Sequence, residues 1–309
     1  MTRSPVSVVV LSYDRPAMLG DALASLRAQT VTPAELIVVD NPSPSSEEIR
    51  GALRRQGDVT LVTPATNLGF AGGMNLGLAR VAHDVVLLTE DDIVLEPDCL
   101  ERLMAVLGEQ PTAGLLAPVI FNKESGSVRS AGGSLSLGGV FRHVVFDRVP
   151  DGMKARPVDF VPGAILLGRT RLLRTFGGFR DDFFMYSEDS DLCLRLARAG
   201  HPVLVCPRAA CSHFEPPVRP ESRVLEYHRF KNLIALYLLH ASPAVWPEFT
   251  LRYGVGWLVR RPSQAFEMAR AWGWAALNAP RLLAERFGWR PRSPLVAVAA
   301  TVPGHTAAH

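Results

Sequence analysis

Cysteine is scarce in this chain: Cys99, Cys193, Cys206 and Cys211 are the only four in 309 residues. None sits at a spacing that reads as a disulfide framework. Cys206, Cys211 and His213 form a C-x4-C-x-H pattern that lacks a fourth ligand at a familiar zinc spacing. No basic stretch followed by an apolar run opens the sequence, so no leader is expected. Apolar runs such as Leu233 to Leu239 stop far short of the ~18 to 20 residues a spanning helix needs, which excludes a membrane crossing. The expectation is a cytoplasmic protein in a reducing compartment. An excess of one charge is missing too: 33 basic residues face 30 acidic ones, for a net +3, and nucleic acid is not expected as a partner. Internal repeats are absent.

What is present is apolar sequence, 48% of the chain, enough for a full core. Val6 to Tyr13, Glu35 to Asn41, Val59 to Ala65 and Asp84 to Glu90 are short β-branched runs without polar alternation, the pattern of strands buried on both faces. Between them, Ala17 to Gln29, Ser46 to Gln56, Gly72 to Val81 and Pro97 to Glu109 carry helical apolar stripes. The β-α-β-α order predicts an α/β, doubly wound, mainly parallel sheet flanked by helices, with ligands where the strands end.

Regularity breaks from Asn122 to Arg156, a Gly- and Ser-rich stretch that reads as a loop or flexible hairpin suited to a substrate lid. From Glu221 the signal is helical. The expected organisation is a catalytic domain over residues 1–220, its nucleotide half about 1–120 and its acceptor half about 121–220. A C-terminal helical region at 221–290 and a disordered tail at 291–309 follow. Five tryptophans (Trp246, Trp257, Trp272, Trp274, Trp289) share the helical region with seven arginines between Arg252 and Arg290. That composition suits helices lying in an anionic membrane interface, or packing on the catalytic domain or a second subunit as a homodimer.

Acids gather twice. Asp40 closes one predicted strand, and Glu90, Asp91 and Asp92 close another. About a hundred residues later Glu188, Asp189 and Asp191 open a helix, after Asp181 and Asp182 and among Phe183, Phe184 and Tyr186. A carboxylate at a strand end can accept from a nucleobase N–H, and Glu-x-Asp offers two oxygens to a hard divalent cation bridging phosphates. First-turn acids also stabilise a helix without any function. Asn67 to Leu78 (NLGFAGGMNLGL) places glycines between strand and helix, where backbone can approach a ligand, yet fits neither a dinucleotide fingerprint nor a P-loop.

Taken in order, SVVVLSYDRPAMLGDALASLRAQT, VVDN, NLGFAGGMNLGL, the strand ending in EDD, and GGFRDDFFMYSEDSDLCLRLARAGH resemble a family 2 glycosyltransferase of the GT-A fold, in its bacterial rhamnosyltransferase-like branch. The resemblance covers roughly Val6 to Leu239. It implies that Asp40 meets the base of a nucleotide-sugar, with Ser12, Arg15, Asn67, Gly69, Asn75 and Asp91 around the nucleotide. It further implies a Mg²⁺ or Mn²⁺ site at Glu90, Asp92 and His213. The first acid of the metal motif departs from the family's aspartate, and Asp91 leaves the register ambiguous by one residue; Glu96-Pro97 favours Asp92. Asp189 matches the catalytic base, beside Glu188, and Gly163, Tyr186 and Asp191 fall to the acceptor.

The function so implied is an inverting, metal-dependent transfer from a UDP- or dTDP-sugar to a hydroxyl of a glycan, lipid-linked or small-molecule acceptor, in the cytoplasm or on the inner face of the cell membrane. A nucleotidyltransferase is the rival enzyme, though SYDRPAML offers only Arg15 as a phosphate-loop cation. A catalytically silent sugar-nucleotide binder is the rival that does no chemistry.

Overall fold

A computed structural model describes residues 3–138, 142–145, 147, 149, 154–214, 222–288 and 293–295. The first half alternates as the apolar pattern predicts: β1 (Arg3–Ser12), α1 (Pro16–Arg27), β2 (Thr32–Asp40), α2 (Ser46–Arg54), β3 (Val59–Val62), α3 (Gly69–Leu78), β4 (Val85–Glu90), β5 (Ile93–Leu95) and α4 (Cys99–Glu109). The second half brings β6 (Leu115–Asn122), β7 (Val128–Ser130), β8 (Gly133–Ser136), β9 (Arg142–Val145), β10 (Arg156–Val158), β11 (Ile165–Arg169), α5 (Thr170–Thr175), α6 (Glu188–Arg198) and β12 (Val203–His213). Ten strands form one sheet in the order β10-β12-β6-β11-β4-β1-β2-β3, with β5 joined to β12 and β7 to β6. β1, β2, β3 and β4 pair in parallel, as do β6 and β12, while β11 runs antiparallel between β4 and β6.

Why the central strands read as unbroken apolar runs is visible in their packing. Val6, Val8 and Val10 face one core with α1, α2 and α4, and Val9 and Leu11 face the other with α3 and α6. Both faces are covered, so alternation has no polar partner to show. The glycines of α3 serve this contact: a Cβ on Gly77 would stand 2.3 Å from Val9 Cγ1, so glycine lets the helix lie directly on the sheet. α3 also starts at Gly69, three residues before the predicted Gly72.

Part of the Gly- and Ser-rich stretch is ordered as the β8–β9 hairpin, paired from Gly133↔Val145 to Ser136↔Arg142. Of the predicted tail, Leu295 donates its N–H to Arg174 O at 2.8 Å; the rest of 291–309 beyond 293–295 lies outside the described residues.

The C-terminal helices are α7 (Arg223–His240), α8 (Trp246–Phe249), a π-helical turn (Thr250–Val255), α9 (Gly256–Arg260) and α10 (Ala265–Arg286). Trp246, Trp257, Trp272 and Trp274 are half-buried against a core of their own that includes Phe230, Tyr237, Phe249 and Met268. These tryptophans are therefore packing residues rather than an interfacial belt; Trp289 lies outside the described residues.

Asp191 corrects a second expectation. It is fully buried, accepting from Arg195 Nε (2.7 Å) and lying 2.8 Å from His240 Nε2, so it faces α7 and not an acceptor. Arg198 Nη1 lies 2.6 Å from His240 Nδ1, which makes Nδ1 the acceptor and leaves the ring proton on Nε2 for Asp191. Burial lowers the His240 pKa, while Arg195 and His240 outweigh burial at Asp191 and hold it far below the usual carboxylate range. Both groups bind protons more weakly folded than unfolded, so the stability they carry is fully present above about pH 6.5. It drains as pH falls, first through His240 and then, below about pH 4, through Asp191. The wild-type melting temperature should thus fall more steeply between pH 7.5 and 3.5 than that of His240→Gln; parallel curves would contradict this coupling.

Candidate active site

Parallel pairing sets Ser12 opposite Asp40 and Leu11 opposite Glu90, so β1, β2 and β4 all release the chain at one edge. β12 ends there as well, with His213 paired to Ile93 of β5 and Asn122 of β6. A histidine 121 positions along the chain is thereby set beside Asp92, and Phe214 N donates to Asp92 O at 3.0 Å.

Glu90, Asp92 and His213 each turn one ligand atom inward, and these atoms lie within 4.8 Å of one another. Asp92 Oδ1 is 3.2 Å from His213 Nε2 and, though buried, accepts no hydrogen bond among the described residues. Its other oxygen is paired with Arg15. Asp91 faces elsewhere: it accepts from Ser12 Oγ (3.0 Å), Tyr13 N (2.9 Å) and Arg15 Nη1 (3.3 Å), fixing the loop after β1. The geometry favours the register in which Asp92, not Asp91, turns toward His213.

Electrostatics give the same division. Burial, then Asp92 and Asp91, push Glu90 up to about 8, and burial pushes Asp91 up to about 6 against the Tyr13 N–H and Arg15. Asp92 overcomes its own burial because His213 and Arg15 hold its pKa below the usual range. The raised pKa values of Glu90 and Asp91 mark a site crowded with negative charge, which a hard divalent cation would offset. Two carboxylates and an imidazole, one oxygen orphaned, fit such an ion.

The second acid cluster hangs from the same place. Glu90 N donates to Ala164 O (3.1 Å), and the adjacent Gly163 N donates to Asp189 Oδ2 (3.1 Å), so the turn before β11 joins β4 to α6. Asp189 Oδ1 accepts from Ser190 N (2.6 Å) and Ser190 Oγ (3.3 Å). Glu188 differs from it. Its Oε2 is buried without a hydrogen bond among the described residues, and burial and the neighbouring Asp189 drive its pKa well above the ordinary glutamate value. The two adjacent carboxylates thus sit in different surroundings: burial and Asp189 raise the pKa of Glu188, while Asp189 is held in place by donors.

The segment that delivers these acids was not legible in the sequence. Phe184, Tyr186 and Ser187 have φ of 64°, 73° and 66°, all in the region that favours glycine. Phe184 centres a tight turn closed by Met185 N and Phe183 O at 2.7 Å. Such residues cost on the order of 1–3 kcal/mol each, more than isolated hydrogen bonds at about 1 kcal/mol return, so the surroundings must impose them. Asn232 of α7, completely buried, does so: its Nδ2 is 2.9, 2.7 and 2.7 Å from the carbonyls of Phe183, Met185 and Tyr186. Lys231 donates to Asp182 O, and buried Arg180 is gripped by Glu285 of α10 at 2.6 Å. Asparagine in a helix carries no periodic or compositional signal, so sequence reasoning passed over it.

Several expected nucleotide and acceptor residues are engaged in holding the fold. Asn75 bonds Phe179 through both amide atoms (2.8 and 2.9 Å), and Gly69, at φ +68°, gives Phe184 O the space its Cβ would take at 2.4 Å. Both residues thus hold the Phe179–Phe184 segment in place. Asn67 stays exposed and closes a turn onto Gly69 N (2.8 Å). Asp40 lies at the right edge, but it is fully buried and bonded to Ser46 Oγ and Arg50 Nε, each at 3.2 Å. Tyr186 is half-buried under the Arg229 guanidinium, 5.0 Å from its ring.

A parallel-edged α/β sheet that ends in a buried acid–histidine cluster, facing a second pair of acids, defines a GT-A type glycosyltransferase. The chain belongs to the family described as glycosyltransferase like family 2, whose model matches residues 4–229. It is similar to the N-acetylglucosaminyl-diphospho-decaprenol L-rhamnosyltransferase of Mycobacterium tuberculosis, 27% identical over 253 residues that cover 72% of this chain and 81% of the relative. Among solved structures, GalNAc-T7 with UDP, GalNAc and Mn²⁺ shares the fold at TM-score 0.63 and 14% identity; the match covers 84% of this chain but only 51% of that one. The mannosyltransferase of Pyrobaculum calidifontis with GDP-Man and Mn²⁺ does so at TM-score 0.55 and 20% identity, over 96% and 83% of the two chains.

Two outcomes follow from this geometry. Asp92→Ala should abolish the thermal stabilisation that Mn²⁺ plus nucleoside diphosphate gives, whereas Asp91→Ala should lower the melting temperature without metal and keep that response; scanning fluorimetry reads both, and the reverse ranking would move the register by one. Asn232→Asp, which keeps shape but loses its donors, should cut kcat by about tenfold or more while donor affinity stays within about twofold. An equal loss in both would show a general structural defect instead.

Proposed function

We propose that this glycosyltransferase transfers a sugar with inversion from a UDP- or dTDP-linked donor to a hydroxyl of a lipid-diphosphate-linked glycan, with a divalent cation at Glu90, Asp92 and His213. The observation that carries this reading is the shared turn, since Gly163 and Ala164 bond to the carboxylate of Asp189 and the backbone of Glu90 at 3.1 Å each. The UDP named for GalNAc-T7 supports the donor, the Mn²⁺ named for both structural neighbours supports the ion, and the decaprenol-linked acceptor named for the mycobacterial relative supports the lipid.

Single displacement requires the leaving group and the base on opposite faces of the sugar. When bound, the cation neutralises charge on the departing diphosphate. The protein's own residues do the rest. Arg15, which pairs with both Asp91 and Asp92, is the guanidinium beside the cation site. Asp189 takes the acceptor's proton, its orientation fixed by Gly163 N and Ser190.

Asp189→Asn should leave donor and metal binding near wild type and reduce transfer by at least ~100-fold. Glu188→Gln should cost much less, because the buried Glu188 Oε2 accepts no hydrogen bond among the described residues. Steady-state transfer with a donor panel, alongside donor binding by calorimetry, measures both. Full activity in Asp189→Asn would remove the base from this residue; donor binding by the wild type with no turnover on any acceptor would favour a silent binder.

A further inference from the structure

Helical packing accounts for the tryptophans, but not for the aliphatic residues beside them. Leu251, Val255, Leu258 and Val259 are 64, 59, 45 and 77% exposed, and Phe266, at the start of α10, is 66% exposed. Together with Thr250, Gly254 and Trp272, three of them line a groove of about 440 Å³ with almost no polar surface. Contiguous exposed apolar surface is uncommon on a folded chain and often marks a binding face. The flanks are basic: Arg260 and Arg261 are exposed, as are Arg252 and Arg270, which pair with Glu248 (2.8 Å) and Glu267 (2.7 Å), and residues 246–288 hold six arginines against three glutamates.

Charge decides between occupants. Two copies meeting through this face would set like arginines against each other, because a two-fold contact pairs a patch with itself. An anionic lipid surface satisfies both halves, with acyl chains against the aliphatic ridge and headgroups against the guanidinium groups.

Continuity with the active site gives the face a purpose. Phe266 lies under Arg270 (5.8 Å), Arg270 stacks on Tyr227 (4.5 Å), Tyr227 meets His228 (5.2 Å), and His228 stacks on Phe184 (4.8 Å). An unbroken strip of rings and guanidinium thus runs from the exposed face to the strained segment that carries Asp189. We infer that the α8–α9 face, Leu251, Val255, Leu258 and Val259 with Arg252, Arg260 and Arg261, docks the enzyme on an anionic lipid bilayer, beside the entrance used by its acceptor. The docking surface stands on its own residues; only its link to the acceptor rests on the proposed function.

Flotation of the full chain with vesicles separates the outcomes. Wild-type protein should float with phosphatidylcholine vesicles containing about 30 mol% phosphatidylglycerol at low salt, and lose that binding without the anionic lipid or at high ionic strength. Val255→Glu/Val259→Glu, both at exposed positions, should weaken binding about tenfold or more with an unchanged melting temperature. Arg260→Ala/Arg261→Ala should weaken it on anionic vesicles alone. Wild type that stays in the soluble fraction overturns the inference, as does unimpaired binding of the glutamate variant. So does a wild-type dimer in sedimentation analysis that Val259→Glu converts to monomer, which would assign the face to a second copy. Donor binding measured without vesicles reports on the active site separately, so a failed flotation leaves the proposed chemistry untouched.

Discussion

The arrangement of the active site depends on one buried amide. Asn232 reaches from α7 to a run of backbone in which Phe184, Tyr186 and Ser187 all have positive φ, and its amide shares two N–H donors among the carbonyls of Phe183, Met185 and Tyr186. Left without donors, buried carbonyls cost about 1–3 kcal/mol each, and the positive φ values of Phe184, Tyr186 and Ser187 add to that. The run is stable only while α7 and α10 are docked, through Lys231 on Asp182, Glu285 on Arg180 and Asp191 on His240. The C-terminal helices thereby hold the segment that carries Glu188 and Asp189, though neither acid cluster lies on them.

The two acid clusters make opposite electrostatic demands and the fold meets them separately. At the ends of β4 and β12, acids are crowded and buried until Glu90 prefers to keep its proton, a tension that favours binding a cation. At the start of α6, two neighbouring carboxylates are divided by environment, Glu188 buried beside Asp189 and Asp189 held on backbone and hydroxyl donors. A single turn at Gly163–Ala164 keeps the two clusters in fixed relation.

Much of this was legible beforehand. Unbroken β-branched runs gave strands buried on both faces, their β-α alternation gave a parallel sheet, and parallel pairing necessarily collects the strand ends, so Ser12, Asp40, Glu90 and Asp92 at one edge follow from chain order alone. Acids and histidine are few enough at that edge for their chemistry to be read from type. Identity of residue, however, does not say which way a side chain turns. Asp91 and Asp92 differ by one position and share Arg15, yet Asp91 turns to Ser12 and Tyr13 and Asp92 to His213; Asp191 looks like its neighbour Asp189 yet is spent on Arg195 and His240; Asn75 and Gly69 serve the packing of Phe179 and Phe184. The tryptophans suggested an interface and turned inward, while plain aliphatics took the exposed face.

What the sequence determined by itself was the sheet, its edge and the kinds of groups gathered there, because these depend on local periodicity and on the order of elements along the chain. What only the tertiary structure decided were the long-range meetings: His213 beside Asp92 through the pairing of β12 with β5, Asn232 beneath a strained turn nearly fifty residues away, and the burial that raises the pKa of Glu188. Each depends on distance in space between residues far apart in sequence, set by how helices and strands pack, and no local pattern encodes that.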